Sequence, residues 1–387
     1  MSHRKKVNAL SLFANVGIAE TYLKDIGVNV VVANEIDPKR VKFYRHLYPE
    51  TNMIEGDITD VEIKNEIIEN AKRNHVELIL ATPPCQGMST AGKMDKWDVR
   101  NTLVCHAVEI VKTIKPKYVF LENVPQQLKT KISYNGKIMF IPEYIKQELE
   151  NEYIFNDNNV IEASEYGVPQ FRERAIMLLV RKDIGKQWSF PKKTGIVTLE
   201  EAIGDLPSLD PEVYDIPYHE MIEMFPEFEK KKAAGAAISK WHYPPKHVKR
   251  QVVSMMHTPT GQTAFDNIEK YQPRKKNGEL VTGFRNTYKR QQWDRPGTTV
   301  TMYSREISSQ GNVHPGRYIG VDDEGYDIYS DARVMSIYEL MIMSSLPKDW
   351  NIPDGVSDHF IRCVIGEGIP PLLVKRIVEE MMVIENE

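Results

Sequence analysis

The sequence has few cysteines and no long hydrophobic run. Its three cysteines, Cys85, Cys105 and Cys363, are too few for a disulfide framework, and no two of them have the Cys-x-x-Cys spacing of a metal site. No stretch approaches the roughly 20 uncharged apolar residues of a transmembrane helix, and the start lacks the pattern of a signal peptide. We therefore predict a cytoplasmic or nucleoid-associated protein with no metal site and no membrane contact.

Glycine and proline are not enriched either. The 387 residues include 22 Gly and 23 Pro, while 41% of them are apolar and 27% are charged. This balance excludes a collagenous or a disordered chain and is typical of a globular protein. The chain is too long for one core of ordinary size, so two domains are predicted.

The net charge of −4 hides an asymmetry along the chain. Between Lys230 and Arg295 there are 15 Lys or Arg and 4 Asp or Glu, a surplus of +11, so the other residues carry −15. Such a basic segment is typical of a surface that binds a polyanion, although a solvated lysine-rich surface has the same composition. Seven aromatic residues interleaved with these charges favour nucleic acid.

Short apolar runs alternate with helical stretches in the first half of the chain. The predicted strands are 7–13, 28–33, a weaker one before Asp57, 78–81 and 118–121, and helices are predicted up to about Lys24 and over 38–48, 61–74 and 102–114. Continuous apolar strands separated by helices are typical of a parallel sheet that is covered on both faces. We predict an α/β fold, a doubly wound Rossmann-like domain.

The pattern changes after residue 191. Proline-containing and polar stretches without a steady period continue to about residue 331, and helices are then predicted over 336–345 and 372–384. We therefore divide the chain into a doubly wound domain (1–191), a smaller irregular domain (192–332) and a C-terminal segment (333–387) whose last helix returns to the first domain.

Acidic residues follow the second and third predicted strands. Glu35 ends the second strand and Asp57 follows the third, where they can accept hydrogen bonds from the hydroxyls of an adenosine. NAD enzymes share this arrangement, but the turn between Phe13 and Gly17 lacks the three glycines that bring a backbone against pyrophosphate. A cofactor with adenosine and no pyrophosphate, such as S-adenosylmethionine, fits better.

A cysteine and a glutamate follow the next two strands. Cys85 comes directly after Pro83 and Pro84, and Glu122 directly follows the fifth predicted strand. An isolated cysteine is more often a small core residue. At the ligand edge of the sheet, however, Cys85 and Glu122 can act as nucleophile and proton donor.

These motifs together resemble the DNA (cytosine-5) methyltransferase family. The resemblance covers most of the chain outside roughly 192–290, and its strength lies in the shared order and spacing of the motifs. The matching segments are 13–17, 34–37, 56–58, 84–86, 98–101, 122–124, 170–174, 333–339 and 366–371.

The resemblance implies a role for each site residue. Cys85 attacks carbon 6 of cytosine, Glu122 supplies a proton to ring nitrogen 3, and Arg174, less directly with Arg172, stabilises the intermediate above the base. The predicted S-adenosylmethionine contacts are Phe13, Ala14, Gly17, Ile18, Glu35, Ile36, Asp57, Ile58, Pro83, Gly366 and Gly368. The predicted DNA contacts are Gln86, Ser89, Arg100 and Asn123.

The substrate implied is double-stranded DNA. The target cytosine must be flipped out of the duplex, and residues 192–332 occupy the position of the family's target recognition domain. The resemblance also implies a monomer that is functionally paired with a restriction endonuclease.

Several positions depart from the family pattern, and two of them bear on the charge and backbone shape of the cofactor site. Asn15 stands where the family usually has Gly, and Glu367 replaces an Asn between Gly366 and Gly368. Asn tolerates positive φ, whereas Glu367 would repel the cofactor's carboxylate unless it turns away or meets the ammonium group.

Three alternatives remain open. A tRNA cytosine-5 methyltransferase would share the chemistry, but its Cys-Phe-Thr signature is absent from the sequence. A DNA-binding protein without turnover would follow if Asn15 and Glu367 impaired cofactor binding. A nicotinamide oxidoreductase would leave Cys85 unexplained.

Overall fold

The computed structural model describes residues 5–84, 99–134, 136–157, 159–307 and 311–387. The strands are β1 (Val7–Leu12), β2 (Val28–Glu35), β3 (Asn52–Glu55), β4 (Leu78–Ala81), β5 (Tyr118–Asn123), β6 (Lys131–Tyr134), β7 (Lys137–Phe140), β8 (Tyr153–Phe155), β9 (Val160–Glu162), β10 (Glu173–Arg181), β11 (Glu212–Val213), β12 (Lys246–His247), β13 (Tyr318–Val321) and β14 (Asp327–Tyr329). The helices are α1 (Pro38–Leu47), α2 (Val61–Arg73), α3 (Leu103–Ile114), α4 (Ile141–Leu149), α5 (Leu199–Ile203), α6 (Tyr218–Met224), α7 (Phe228–Ile238), α8 (Lys249–Met256), α9 (Ile337–Met343), α10 (Asp358–Glu367) and α11 (Pro371–Asn386).

One large sheet organises the first half of the chain. Its order is β3-β2-β1-β4-β5-β10-β8, and β9 also pairs with β10. The neighbours from β3 to β5 are parallel, whereas β10 is antiparallel to its three partners. The predicted doubly wound α/β architecture is confirmed, and the carboxyl ends of β1 to β5 form one edge.

Alternate residues of the strands feed two cores. On β4, Ile79 and Ala81 face the cluster that includes α2, α3 and α4, whereas Leu78 and Leu80 face a second cluster with α11. The C-terminal helix therefore covers one face of a sheet that the first half of the chain builds. Its buried residues, such as Leu373 and Ile377, recur at helical spacing.

The helix predicted up to Lys24 is wrong. Turns follow β1 as far as Leu23. Hydrogen bonds stabilise them, for example from the amide of Glu20 to the carbonyl of Gly17 and from the amide of Thr21 to the carbonyl of Ile18. Only a short 3-10 helix, Lys24–Ile26, follows. The positive φ of 82° at Gly17 belongs to the turn predicted around Asn15 and Gly17, and turns continue from there to Leu23, where the helix was expected.

Residues 192–332 contain more helix than the sequence predicts. Four short helices, α5 to α8, lie there, and residues between Val213 and Val334 form a core cluster of their own. The longest, α7, buries only Phe228 and Gly235, so it lacks the apolar stripe that identifies a helix in a sequence. No helix in the described residues is long and apolar enough to cross a membrane.

Candidate active site

The loop after β1 turns sharply at the carboxyl edge of the sheet. Phe13 and Asn15 have positive φ angles of 59° and 50°. The amide of Ala14 donates to the carbonyl of Asn34 at 3.0 Å, and the amide of Gly17 donates to the carbonyl of Ala14 at 2.8 Å. The loop is therefore tied to the end of β2 and folded tightly upon itself.

Glu35, the last residue of β2, holds three backbone amides. Its Oε1 accepts hydrogen bonds from the amides of Ile36 and Asp37, both at 3.0 Å, and its Oε2 accepts one from the amide of Asn15 at 2.9 Å. A carboxylate oxygen can accept two hydrogen bonds. Oε2 therefore retains capacity for one more donor, such as a ribose hydroxyl.

The neighbouring residues suit an adenosine. Asp57 is exposed beyond β3, and among the described residues its side chain accepts one hydrogen bond, at Oδ1 from the amide of Thr59 at 2.9 Å. The side chain of Ile36 is 59% exposed and offers an apolar surface beside Glu35. Ile58 is buried in the core below, so a contact from Ile58 would have to come from its backbone.

Asn123 ties the ends of β4 and β5 together. Its Nδ2 donates to the carbonyl of Pro83 at 2.9 Å, and its Oδ1 accepts from the amide of Val124 at 2.8 Å. Asn123 is buried and Pro83 is buried beside it. Asn123 therefore positions the two prolines that precede Cys85 in the chain, and its contact with DNA stays a prediction.

Several predicted residues are not described. Cys85, Gln86 and Ser89 lie outside the residues that the structure describes, and so does the side chain of Arg100.

Glu122 and Arg174 form a buried ion pair at the same edge. Arg174 Nε lies 2.7 Å from Glu122 Oε1. The antiparallel register aligns Ile176 with Glu122, which places Arg174 diagonally across from Glu122 on the same face. Burial raises the pKa of the Glu122 carboxyl, and the guanidinium groups of Arg174 and Arg172 offset part of that rise. A raised pKa favours a carboxyl that can deliver a proton.

Arg172 joins three parts of the chain. Its Nη1 donates to the carbonyl of Val300 and its Nη2 to the carbonyl of Gly366, both at 2.8 Å, and only 3% of the residue is exposed. These bonds direct its two Nη atoms at backbone carbonyls, and its charge acts on the Glu122 carboxyl. The predicted position of Arg172 near the base, less direct than that of Arg174, stays a prediction.

The two glycines at the end of α10 pack closely. A Cβ on Gly366 would lie 2.2 Å from the backbone of Thr301, and one on Gly368 would lie 2.9 Å from Ile18 Cδ1. Close approach explains why both positions are glycine. It brings the end of α10 beside the loop after β1, as expected for a shared cofactor site.

Sequence reasoning missed Arg40. Arg40 Nη2 lies 2.8 Å from Glu367 Oε2, and Asn15 Nδ2 donates to the same oxygen at 3.1 Å. The two departures from the family pattern thus contact each other, and Arg40 neutralises the carboxylate. No local signal marks Arg40, because Glu367 lies in a distant part of the chain.

The basic segment is largely paired. Of its 15 Lys and Arg, 11 lie within 4.0 Å of a carboxylate, and several of these carboxylates, such as Asp210 and Glu324, precede or follow the segment. Over residues 192–332 the sequence has 19 Lys or Arg and 20 Asp or Glu, a net charge of −1. The surplus of +11 therefore reflects the limits chosen for the segment, and it is weaker support for nucleic acid than the sequence suggested.

A few cations in this region remain exposed and make no ion pair among the described residues. They are Lys192, Arg250, Lys276, Lys289 and Arg305. Arg305 borders a cavity of about 700 Å³ together with Tyr214, Gln251, Tyr303 and, from α10, His359.

The chain is similar to known proteins in sequence and in fold. The chain matches the C-5 cytosine-specific DNA methylase family over residues 7–383. It is 41% identical to the Type II methyltransferase M1.HgaI of Avibacterium volantium over 98% of this chain and 99% of that protein. It is 26% identical to the Type II methyltransferase M.DdeI of Desulfomicrobium norvegicum over 97% and 88%. The solved structure of the Entamoeba histolytica methyltransferase EhMeth is similar in fold, with a TM-score of 0.60, 14% identity and 99% coverage of both chains.

Proposed function

The chain belongs to the C-5 cytosine-specific DNA methylase family, and from that premise we propose that Cys85, Glu122 and Arg174 perform its methyl transfer. The observation that carries the proposal is the buried Glu122–Arg174 pair, 2.7 Å apart, at the end of the strand next to the one that leads into Cys85. S-adenosylmethionine supplies the methyl group, and Glu35, Asp57 and the loop after β1 are the residues that would hold it.

The proposed chemistry begins with the Cys85 thiolate. Its sulfur forms a bond to carbon 6 of the cytosine, and the electron pair of the 5,6 double bond becomes available at carbon 5. Glu122 delivers its proton to ring nitrogen 3, which limits the negative charge on the ring. Arg174 holds the Glu122 carboxylate in place and stabilises developing charge beside it. After carbon 5 is methylated, a solvent base such as a water molecule takes the carbon 5 proton, and the electron pair of that C–H bond re-forms the 5,6 double bond. The bond from carbon 6 to Cys85 breaks, the sulfur leaves as a thiolate, and nitrogen 3 returns its proton to Glu122.

The substrate of this site is a cytosine in duplex DNA. A base inside a duplex is out of reach of an enzyme nucleophile, so we propose that the target is flipped out, at a cost of a few kcal/mol. We assign residues 1–191 to the catalytic domain, 192–332 to target recognition and 333–387 to a segment that returns to the catalytic domain. Gln86, Ser89 and Arg100 remain the proposed contacts with the DNA near the position that the flipped cytosine leaves in the duplex.

We propose that Arg305, one of the cations without an ion pair among the described residues, lies on the side of residues 192–332 that meets DNA. Arg172 holds the carbonyl of Val300, and the chain from Val300 to Arg305 can span no more than about 18 Å. Each base-pair step of one strand adds about 3.4 Å. Arg305 is therefore within a few base pairs of the catalytic edge, where an unpaired guanidinium suits a phosphate or a guanine.

Arg305→Ala tests this assignment against a paired lysine of the same region. We expect it to weaken duplex binding and to lower the salt dependence by about one phosphate equivalent, or to relax sequence preference if it reads a base. Lys230→Ala is the control, because Lys230 is exposed and already paired with Glu227 at 2.6 Å. Equal effects of the two substitutions would contradict the assignment.

The Type II relatives suggest the biological setting. We propose that the chain is the modification half of a restriction-modification system, acts as a monomer and is functionally paired with a restriction endonuclease.

The decisive experiment combines labelled S-adenosylmethionine with duplex DNA of many sequences and with a duplex that contains 5-fluorocytosine. Release of Cys85 requires carbon 5 to lose a proton. Fluorine at that position cannot be lost as a cation, so the covalent adduct with Cys85 should accumulate. We expect transfer and the adduct with the native chain and with Cys363→Ser, and neither with Cys85→Ser. If only tRNA were labelled, the substrate would be tRNA and the assignment of DNA would be wrong. DNA binding without any methyl transfer would refute the catalytic assignment.

A further inference from the structure

We infer that Asn15, Glu367 and Arg40 form a latch for the amino-acid end of the cofactor, in which Asn15 accepts a hydrogen bond from the ammonium group while Glu367 and Arg40 are positioning residues. The inference rests on the proposed function of the site. It goes beyond that function because it gives cofactor-binding roles to Asn15 and Glu367, which depart from the family pattern.

The order of the strands decides which end of the cofactor meets Asn15. Glu35 and Asp57, which suit the adenosine, lie at the ends of β2 and β3, whereas Cys85 follows β4. The loop that carries Asn15 follows β1, which lies between β2 and β4 in the sheet. A cofactor with its adenosine above β2 and β3 and its methyl group toward the end of β4 spans the end of β1, and we therefore place its amino-acid end over this loop.

Glu367 orients the side chain of Asn15. A carboxylate oxygen accepts hydrogen bonds and does not donate them, so the amide group that meets Glu367 Oε2 at 3.1 Å must be Nδ2. Asn15 Oδ1 then points elsewhere, and it is buried without a hydrogen-bond partner among the described residues. A buried acceptor without a donor is unfavourable, and an ammonium group would supply that donor.

Arg40 keeps Glu367 from repelling the cofactor. Its Nη2 contacts the same carboxylate oxygen at 2.8 Å, and both side chains are mostly buried. Arg40 lies in the first turn of α1, directly after the segment that Glu35 holds, so the latch connects the ends of β1, β2 and α10. Glu367 and Arg40 thus fix Asn15 without contacting the ligand themselves.

The test measures equilibrium binding of two ligands that differ at the relevant end. S-adenosylhomocysteine has the amino-acid group, whereas 5′-methylthioadenosine lacks it. Asn15→Gly should bind S-adenosylhomocysteine roughly tenfold more weakly and 5′-methylthioadenosine as well as the native chain does. The variant should fold like the native chain, because Gly adopts the φ of 50° found at Asn15 without strain.

Glu367→Gln and Arg40→Gln test the positioning roles. We expect each to weaken S-adenosylhomocysteine binding several-fold, and the effect of Asn15→Gly to shrink in the Glu367→Gln background. Arg45→Gln is the matched control, since Arg45 belongs to the same helix and forms an exposed ion pair with Glu55 at 3.4 Å.

Two results would overturn the latch: unchanged binding of S-adenosylhomocysteine by Asn15→Gly, or an equal loss for both ligands. Neither result would bear on catalysis, because methyl transfer to DNA by the native chain is measured separately.

Discussion

Replacing Arg333 by Met should destabilise the protein strongly. Arg333 is fully buried, and its guanidinium contacts Asp331 Oδ1 at 2.7 Å and both carboxylate oxygens of Glu339 at 2.8 Å. Methionine fills similar space but leaves two carboxylates in the interior without their cation. Breaking one partner out of a buried ion pair costs about 3–5 kcal/mol, and we expect a loss of unfolding free energy in that range.

The pH dependence of the stability difference between the variant and the native protein gives a second, independent test of this prediction. In the native protein Arg333 lowers the pKa of Glu339 to about 2 despite its burial, so this contribution to stability is present above the unfolded pKa of 4.5 and is lost as the pH falls toward 2. Without Arg333, burial would raise the pKa of Glu339 above its unfolded value. The deficit of the variant should therefore be largest at neutral pH and narrow as the pH falls.

Urea unfolding at several pH values, followed by fluorescence, measures both quantities. Arg45→Met serves as the control, because its exposed ion pair with Glu55 should contribute less than about 1 kcal/mol. A loss below about 1 kcal/mol for Arg333→Met, or a deficit that grows toward acid pH, would refute the reasoning.

Of three further predictions, two concern the site and the third concerns the buried carboxyl of Glu20. Glu122→Gln retains the shape of the side chain but removes the proton donor, so kcat should fall roughly 10²–10⁴-fold while duplex binding, measured by fluorescence anisotropy, persists; near-native turnover would exclude the assigned role. Gly17→Ala would bring a Cβ to 2.2 Å from the Tyr48 ring at a φ of 82°, so thermal unfolding should show a lower Tm and calorimetry weaker cofactor binding, and an unaltered protein would contradict this packing. Burial raises the pKa of Glu20 from 4.5 to about 7, so the folded state binds more protons than the unfolded state between these values; stability should fall by about 3 kcal/mol as the pH rises through them, and Glu20→Gln should remove this slope in chemical unfolding.

The sequence by itself determined the local and chemical features. Buried parallel strands must be apolar on both faces, so the first, second, fourth and fifth strands were readable from residues 7–13, 28–33, 78–81 and 118–121. A nucleophile and a carboxyl after neighbouring strands identified the proposed catalytic pair without any coordinates. The order and spacing of the motifs along the chain then indicated the family, because each motif follows or lies near a particular strand in chain order.

Only the tertiary structure decided how distant residues use one another. The +11 surplus of the basic segment is largely cancelled by carboxylates that folding brings to it. Arg172, which the motif placed above the base, donates to carbonyls of Val300 and Gly366, and the departures at Asn15 and Glu367 contact each other through one carboxylate oxygen that Arg40 also binds. Such partners carry no local pattern, because a hydrogen bond depends on distance and direction in space and leaves no period along the chain.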